Sequence, residues 1–272
     1  MTKSLKPLSK LLKTGSVCSR KQHSMRRLTS LRRLLSIGSL SFLLTLSSPF
    51  IGYFPPYSPS LQVLAQSNDT RKAEADRFLQ QGIEMFQTSK FEAALESWQK
   101  ALDIYRKIKH RKGESNVLLG IGIAHGSLGN YSKAIDSFQQ TLTIARETQD
   151  LIRQGKSLGN LGIISRKIGD YNSSVNYHLQ SLKIFQEIKD RREEGIALGN
   201  LGLAYNNLKD YSKAIEYLQE KLKIAKEIND YKGKSIALGN IALVYENLGE
   251  YPEAIEYSQQ SLKIDQEMED RN

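Results

Sequence analysis

The side chains able to carry acid–base, thiol or metal chemistry are few in this sequence. One cysteine and four histidines occur in the 272 residues, namely Cys18, His23, His110, His125 and His178. A zinc site needs several such ligands at close spacing, and a thiol nucleophile needs a cysteine. After residue 65 there is no cysteine at all. Gly120 and Gly122 do not follow a strand pattern, so they make no dinucleotide-binding motif. We therefore expect no catalytic residue, no metal and no cofactor.

A second set of polar side chains recurs at fixed spacing. Asn160, Asn200 and Asn240 are each forty residues apart, Gln80 stands in the same register, and Gly120 interrupts the series. An amide side chain both donates and accepts hydrogen bonds, so a row of amides can pair with the peptide groups of an extended chain. The alternative is that each amide caps nearby backbone or faces water. The choice between them depends on the elements that carry the amides.

Those elements belong to a repeat of forty residues. Five rows align without a gap over 75–114, 115–154, 155–194, 195–234 and 235–272. The letters Leu-Gly-Asn-Leu-Gly at Leu158 recur at Leu198, and Leu238 begins Leu-Gly-Asn-Ile-Ala. Aromatic residues fill one column completely: Phe91, Tyr131, Tyr171, Tyr211 and Tyr251.

Each row predicts two helices. Apolar residues of the fourth row recur at three and four residues in two stretches, which is helical periodicity: Leu198, Leu201, Ala204, Tyr205 and Leu208, then Ala214, Ile215, Leu218, Leu222 and Ala225. Gly129, Gly169 and Lys209 stand in the turn between the stretches, where a positive φ ends a helix. Pro252 stands at the start of a second helix, where its missing N–H is harmless. The body of the protein is therefore predicted to be all-α.

The net charge of +10 comes from the first part of the chain. Residues 1–65 hold ten of the 39 basic residues and none of the 29 acidic ones, so 29 basic and 29 acidic residues remain in the body. A nucleic-acid partner requires a basic patch on the folded part. We expect no nucleic-acid partner.

Residues 1–65 have the order of a secretory signal. An apolar segment at 34–54 follows Arg32 and Arg33, and Val63 and Ala65 suit the −3 and −1 positions of a cleavage site. We expect a cleaved signal peptide, a polar linker at 66–74, and export to the periplasm or the cell exterior. An uncleaved membrane anchor at 34–54 is the alternative, and it would be the protein's contact with a membrane. Translation could begin at Met1 or at Met25.

The repeat columns resemble the tetratricopeptide repeat. Leu201, Gly202, Tyr205, Tyr211 and Ala214 carry the resemblance, which covers residues 75–272, and the forty-residue length with Leu-Gly-Asn is similar to the extended variety found in spindle-orientation adaptors. The resemblance implies a right-handed superhelical solenoid of five two-helix hairpins. It departs from the family at a small second-helix position, which holds Thr141, Ser181, Lys221 and Ser261.

The resemblance also implies a concave groove lined by the first helices. The predicted groove residues are Gln80, Asn160, Asn200 and Asn240, the basic Lys156, Arg166 and Lys167, and the amides Asn206, Asn207 and Asn247. Such a groove suits an extended or helical peptide with an acidic residue near the three basic side chains. The alternative for those three residues is a solvated helix face.

Two further positions bear on function. His125 and His178 stand in columns that elsewhere hold large apolar or aromatic residues, so we expect packed imidazoles. In the last row Ser258 and Asp265 replace apolar residues, while Leu262 stays apolar, which leaves a face that could pair with a second copy.

These observations predict a non-enzymatic scaffold that binds a protein or peptide in its groove. Two alternatives remain: a structural array that self-associates through the last repeat, and the regulatory arm of an enzyme encoded separately.

Overall fold

The structure is a computed structural model that describes residues 59–269, with side chains from Ser67 onward. Within these residues ten helices follow one another without a strand. They are α1 Pro59–Gln87, α2 Phe91–Lys107, α3 Arg111–Ser127, α4 Tyr131–Glu147, α5 Leu151–Lys167, α6 Tyr171–Glu187, α7 Arg191–Asn207, α8 Tyr211–Glu227, α9 Tyr231–Leu248 and α10 Tyr251–Glu269. The helices form five successive pairs, which we call repeats one to five.

Backbone conformation ends the helices where the sequence predicts. The turns within repeats two, three and four contain Gly129, Gly169 and Lys209 with φ of 76°, 85° and 61°. Most first helices begin after an aspartate, as at Asp150 and Asp190, whose Oδ1 atoms accept hydrogen bonds from backbone N–H groups three residues later at 3.0 and 3.1 Å. These caps satisfy N–H groups that have no partner inside the helix.

Small residues let the two helices of a repeat approach closely. A Cβ atom built on Gly202 of α7 would lie 2.5 Å from Leu218 Cγ and 3.2 Å from the Ala214 carbonyl oxygen, both on α8. The side chains in the column of Leu218 are buried in repeats one to four: Trp98, Phe138, His178 and Leu218. Ser258 holds this column in repeat five and is exposed, as expected for a terminal repeat.

The hairpin boundaries differ slightly from the predicted rows. First helices begin at Arg111, Leu151, Arg191 and Tyr231, four residues before the row starts at 115, 155, 195 and 235. The row starts follow the register of the recurring letters, whereas the capping residue sets the start of each helix. The predicted polar linker at 66–74 is helical and lies inside α1.

The predicted signal or anchor segment at 34–54 lies outside the described residues, as does most of 1–65. No helix within residues 59–269 has the length and apolar character needed to span a bilayer.

Candidate peptide-binding groove

The first helices of successive repeats form the inner side of the stack. α1 contacts α3, α3 contacts α5, α5 contacts α7, and α7 contacts α9. The backbones of successive second helices lie farther apart among the described helices, and Arg106 of α2 reaches Gln140 of α4 only through its long side chain, at 2.8 Å. Elements that lie closer together lie on the inside of a curved stack. We call the surface along α1, α3, α5, α7 and α9 the groove.

One part of the groove is a cleft of about 270 Å³ between repeats three and four. Lys156 and Asn160 of α5 line it together with Glu193 and Asn200 of α7. Its apolar walls come from the first helices of three repeats and from α6: Leu119, Ile123, Ile163, Phe185 and Ile196. The structure thus brings three of the predicted site residues, Lys156, Asn160 and Asn200, into one space.

Lys156 and Asn160 already have partners within the protein. Lys156 Nζ lies 2.9 Å from Glu193 Oε1, which joins α5 to α7. Asn160 Nδ2 donates a hydrogen bond to the Lys156 carbonyl oxygen at 2.9 Å. The local capping anticipated as an alternative therefore holds for the Asn160 donor, while its Oδ1 remains an acceptor at the cleft.

The three predicted basic residues do not converge on one point. Lys167 lines an adjacent cleft with Asn160 and Ile163, and its Nζ lies 6.0 Å from the centre of the Tyr131 ring. Arg166 is half-buried, and the positive charge of this guanidinium contributes to the lowered pKa of His178. Lys156 is neutralised by Glu193. An acidic ligand residue would therefore not meet all three cations.

The remaining predicted amides are distributed along the groove. Asn247 Nδ2 donates to Asn206 Oδ1 at 3.2 Å, which connects α9 to α7. Gln80 is exposed on α1 and its Nε2 donates to Glu84 Oε1 at 3.3 Å. Asn240 is half-buried on α9 and Asn207 is exposed on α7, and neither lines the cleft between repeats three and four.

The sequence matches the tetratricopeptide repeat family over residues 84–147, 153–227 and 193–267. These matches span more than half of the chain. The chain belongs to the tetratricopeptide repeat family. Proteins built from such repeats typically offer a curved surface for interaction with other proteins.

Solved structures share the fold of this tetratricopeptide array. TPR-like repeats assigned to a kinesin light chain of Podosopora anserina superpose with a TM-score of 0.61 at 16% identity, covering 72% of this chain and 97% of that one. Aspartyl phosphate phosphatase F from Bacillus subtilis gives 0.68 at 18%, covering 77% of this chain and 55% of that one. A Rap protein complexed with Competence and Sporulation Factor gives 0.64 at 16%, covering 73% and 56%. No curated protein is significantly similar in sequence.

Both histidines of the tetratricopeptide helices are packing residues. His178 is 0% exposed, and neither ring nitrogen has a hydrogen-bond partner among the described residues. Burial, assisted by the charge of Arg166, lowers the pKa of His178 to about 4. Burial also lowers the pKa of the half-buried His125, with a smaller contribution from Lys133. The fully buried imidazole of His178 cannot reach a ligand in the groove.

A second cleft of the tetratricopeptide groove was not predicted. It lies between repeats four and five, has a volume of about 200 Å³, and is lined by Ile196, Lys221, Ala225, Asp230 and Ile236 among others. The sequence signal for it was the lysine at position 221, where other repeats carry Ala101, Thr141, Ser181 and Ser261. From the sequence alone, this lysine is only a departure from the small residue of the family.

Proposed function

We propose that this protein is a non-enzymatic scaffold that binds an extended peptide, or an extended segment of a partner protein, in the groove. The observation that supports this most strongly is the cleft between repeats three and four, where Asn160 and Asn200 stand above apolar walls. Polar amides above an apolar floor suit a peptide whose backbone bonds to the amides while alternate side chains enter the cleft.

The amide of Asn200 is central to this proposal. It forms no hydrogen bond with the described residues, so both its donor and its acceptor are available to a ligand. Asn160 adds an acceptor on the preceding repeat, and Asn240 stands at the equivalent position of the next one. A peptide running along the groove would meet these amides one repeat at a time.

The Rap protein complexed with Competence and Sporulation Factor shares the fold and is an analogy for such binding. The family relationship makes interaction with protein partners the expected function class. The identity of the ligand does not follow from either comparison.

Selection from a random twelve-residue peptide display library tests the proposal. The full chain is used as bait, and selected peptides are synthesised and their Kd values are measured by fluorescence anisotropy. We expect the triple variant Asn160→Ala, Asn200→Ala, Asn240→Ala to weaken binding at least tenfold, since each lost hydrogen bond contributes about 1 kcal/mol. The matched control changes Asn176 and Gln219, which are exposed on second helices, to Ala. Equal losses of peptide affinity in both variants would contradict binding in the groove.

Self-association is a second candidate function, supported by the end of the array. Tyr251, Ile255 and Leu262 of α10 are 63%, 58% and 56% exposed and line one shallow pocket. If this face joins two copies, Leu262→Glu should convert dimer to monomer in sedimentation velocity, whereas Lys263→Glu on the neighbouring exposed position should not. A monomer at all concentrations would contradict this candidate.

We also propose that the chain is exported by its first 65 residues. The basic residues followed by the apolar segment 34–54 support this. The first residue of the mature protein, determined from exported material, tests it: Gln66 is expected for cleavage after Ala65, and an intact amino terminus in the membrane fraction indicates the anchor instead.

A further inference from the structure

A half-buried lysine lies in the cleft between repeats four and five. Lys221 projects from α8 against α7, where a Cβ atom on Gly199 would be 2.8 Å from its Cδ and 2.9 Å from its Nζ. The cleft that receives it is walled by Ile196 and Ile236 of successive first helices and by Ile228. The ammonium therefore shares this cleft with isoleucine side chains on the groove side of the stack.

The serines at the equivalent positions of repeats three and five form hydrogen bonds within the protein. Ser181 Oγ donates to the Gly155 carbonyl oxygen at 2.9 Å, and Ser261 Oγ donates to the Ser235 carbonyl oxygen at 2.9 Å. Lys221 makes no hydrogen bond or ion pair with any of the residues 67–269. Burial lowers the pKa of Lys221, and the charge of Asp230 opposes that shift. A half-buried ammonium without a hydrogen bond or ion pair can donate hydrogen bonds to an anion.

The charges around the cleft favour an anion. Arg192 and Lys232 line it and are exposed, and they form no hydrogen bond or ion pair with the described residues. Arg191 is engaged with Glu194 and Glu227. Asp230 is the carboxylate among the lining residues, and its Oδ1 accepts the capping hydrogen bond from Gly233 N at 2.9 Å. Three cations without ion pairs, Lys221, Arg192 and Lys232, thus face one carboxylate.

The cleft between repeats three and four provides an internal comparison. Phe185 occupies the position of Ala225, so an aromatic ring lines that cleft where a methyl group lines this one. Its lysine, Lys156, is paired with Glu193 at 2.9 Å. Of these two clefts along the same groove, the one between repeats four and five has the lysine without an ion pair.

We propose that the cleft between repeats four and five binds the side-chain carboxylate of an aspartate or glutamate in the peptide held by the groove. This inference rests on the proposed groove function. Lys221 Nζ donates to the carboxylate, Arg192 and Lys232 attract it from the rim, and the isoleucine walls contact its methylene carbons. The low polarity of the walls strengthens a charge-assisted hydrogen bond. Repeats four and five thereby recognise an acidic residue of the peptide, at a site separate from the three basic residues of repeat three.

The same display selection tests this inference with a second bait. Peptides are selected on the full wild-type chain and on Lys221→Met, which keeps an unbranched side chain one atom shorter and removes the charge. Lys223→Met, on an exposed position of α8, is the matched control. All synthetic peptides carry amidated carboxyl termini, so that a terminal carboxylate cannot substitute for a side chain; a parallel set with free termini measures that contribution.

We expect wild-type peptides to share Asp or Glu at one position, and the Lys221→Met selection to lose that preference. Changing the shared acidic residue to its amide should weaken binding to wild type and to Lys223→Met about tenfold, and leave binding to Lys221→Met unchanged. Peptides that bind without an acidic preference, or an amide effect that is equal in Lys221→Met, would overturn the inference. A preference satisfied only by free termini would also overturn it, in favour of a terminal carboxylate. Failure of the proposed groove function gives a different result: no peptide binds, or the asparagine triple variant binds the selected peptides with the same Kd as wild type.

Discussion

Lys156 Nζ lies 2.9 Å from Glu193 Oε1, and this ion pair joins the first helix of repeat three to that of repeat four beside Asn160 and Asn200. It links repeats three and four at the cleft between them. Glu193 also neutralises the positive charge of Lys156, which the sequence alone predicts to face a ligand.

Breaking this pair should change ligand preference more than stability. Glu193→Gln leaves Lys156 unpaired at the cleft, so peptides with an acidic residue at that register should bind severalfold more tightly at low salt. The free energy of unfolding should fall by less than about 1 kcal/mol, because the pair is partly exposed. Anisotropy titrations at two salt concentrations measure the first effect and urea denaturation the second. Glu187→Gln, exposed on α6, should change neither quantity.

Protonation of His178 should destabilise the fold in acid. The pKa of His178 is about 4 in the folded protein, against an ordinary value of 6.5 in the unfolded chain. Between these values the unfolded state binds the proton and the folded state does not, so stability falls as the pH drops from about 6.5 to 4 and is unaffected by this group above that window. The loss approaches about 3 kcal/mol at pH 4.

The variant His178→Leu isolates this contribution, since Leu218 fills the same column in the next repeat. It should be more stable than wild type at pH 7, because it removes two buried nitrogens without partners. The difference should widen toward pH 4 in urea titrations. A constant difference between pH 7 and pH 4 would show that His178 is not neutral in the folded state.

Two glycines of the same repeat pattern should respond oppositely to alanine. Gly202→Ala places a methyl group 2.5 Å from Leu218 Cγ and should destabilise the protein by about 1–3 kcal/mol. Gly239→Ala meets nothing nearer than Ser261 Oγ at 3.6 Å, and it should stabilise α9 by about 0.5–1 kcal/mol. Thermal unfolding of both variants provides the comparison. The same sign for both would contradict the close approach of α7 and α8.

Arg191 should contribute to the junction between repeats. It pairs with Glu194, whose side chain is 8% exposed, at 2.6 Å, and with Glu227 at the end of α8. Arg191→Gln leaves the Glu194 carboxylate buried with a single amide partner, Gln186, and should destabilise the protein by about 1–3 kcal/mol. Arg192→Gln, on an exposed position, should change the unfolding free energy by less than about 0.5 kcal/mol. Equal changes in the unfolding free energy for the two variants would contradict a stabilising role for the ion pairs of Arg191.

The repeat makes the fold readable from the sequence because each position is represented several times. The turn at Gly169 was predictable since Gly129 and Lys209 share it, and burial of His178 was predictable since Phe138 and Leu218 share its column. Side-chain partners were not predictable in this way. Whether Lys156 reaches Glu193 depends on the rotation between neighbouring repeats, which no single column encodes.

Lys221 shows a related limit of prediction from the sequence. Its column identified an exception, but the open space beside it depends on Ala225, which stands in a different column. A cleft is formed by several columns together, so it becomes visible only when the helices are placed.

The most direct test of the account is the side-chain amide NMR spectrum of the isotope-labelled full chain with a peptide selected by display. The Nδ2–H₂ signals of Asn160, Asn200 and Asn240 should shift on saturation, while those of Asn176 on α6 should not. Unchanged groove amides, with shifts confined to residues near Tyr251 and Leu262 of α10, would contradict binding in the groove and assign the interaction to the end of the array.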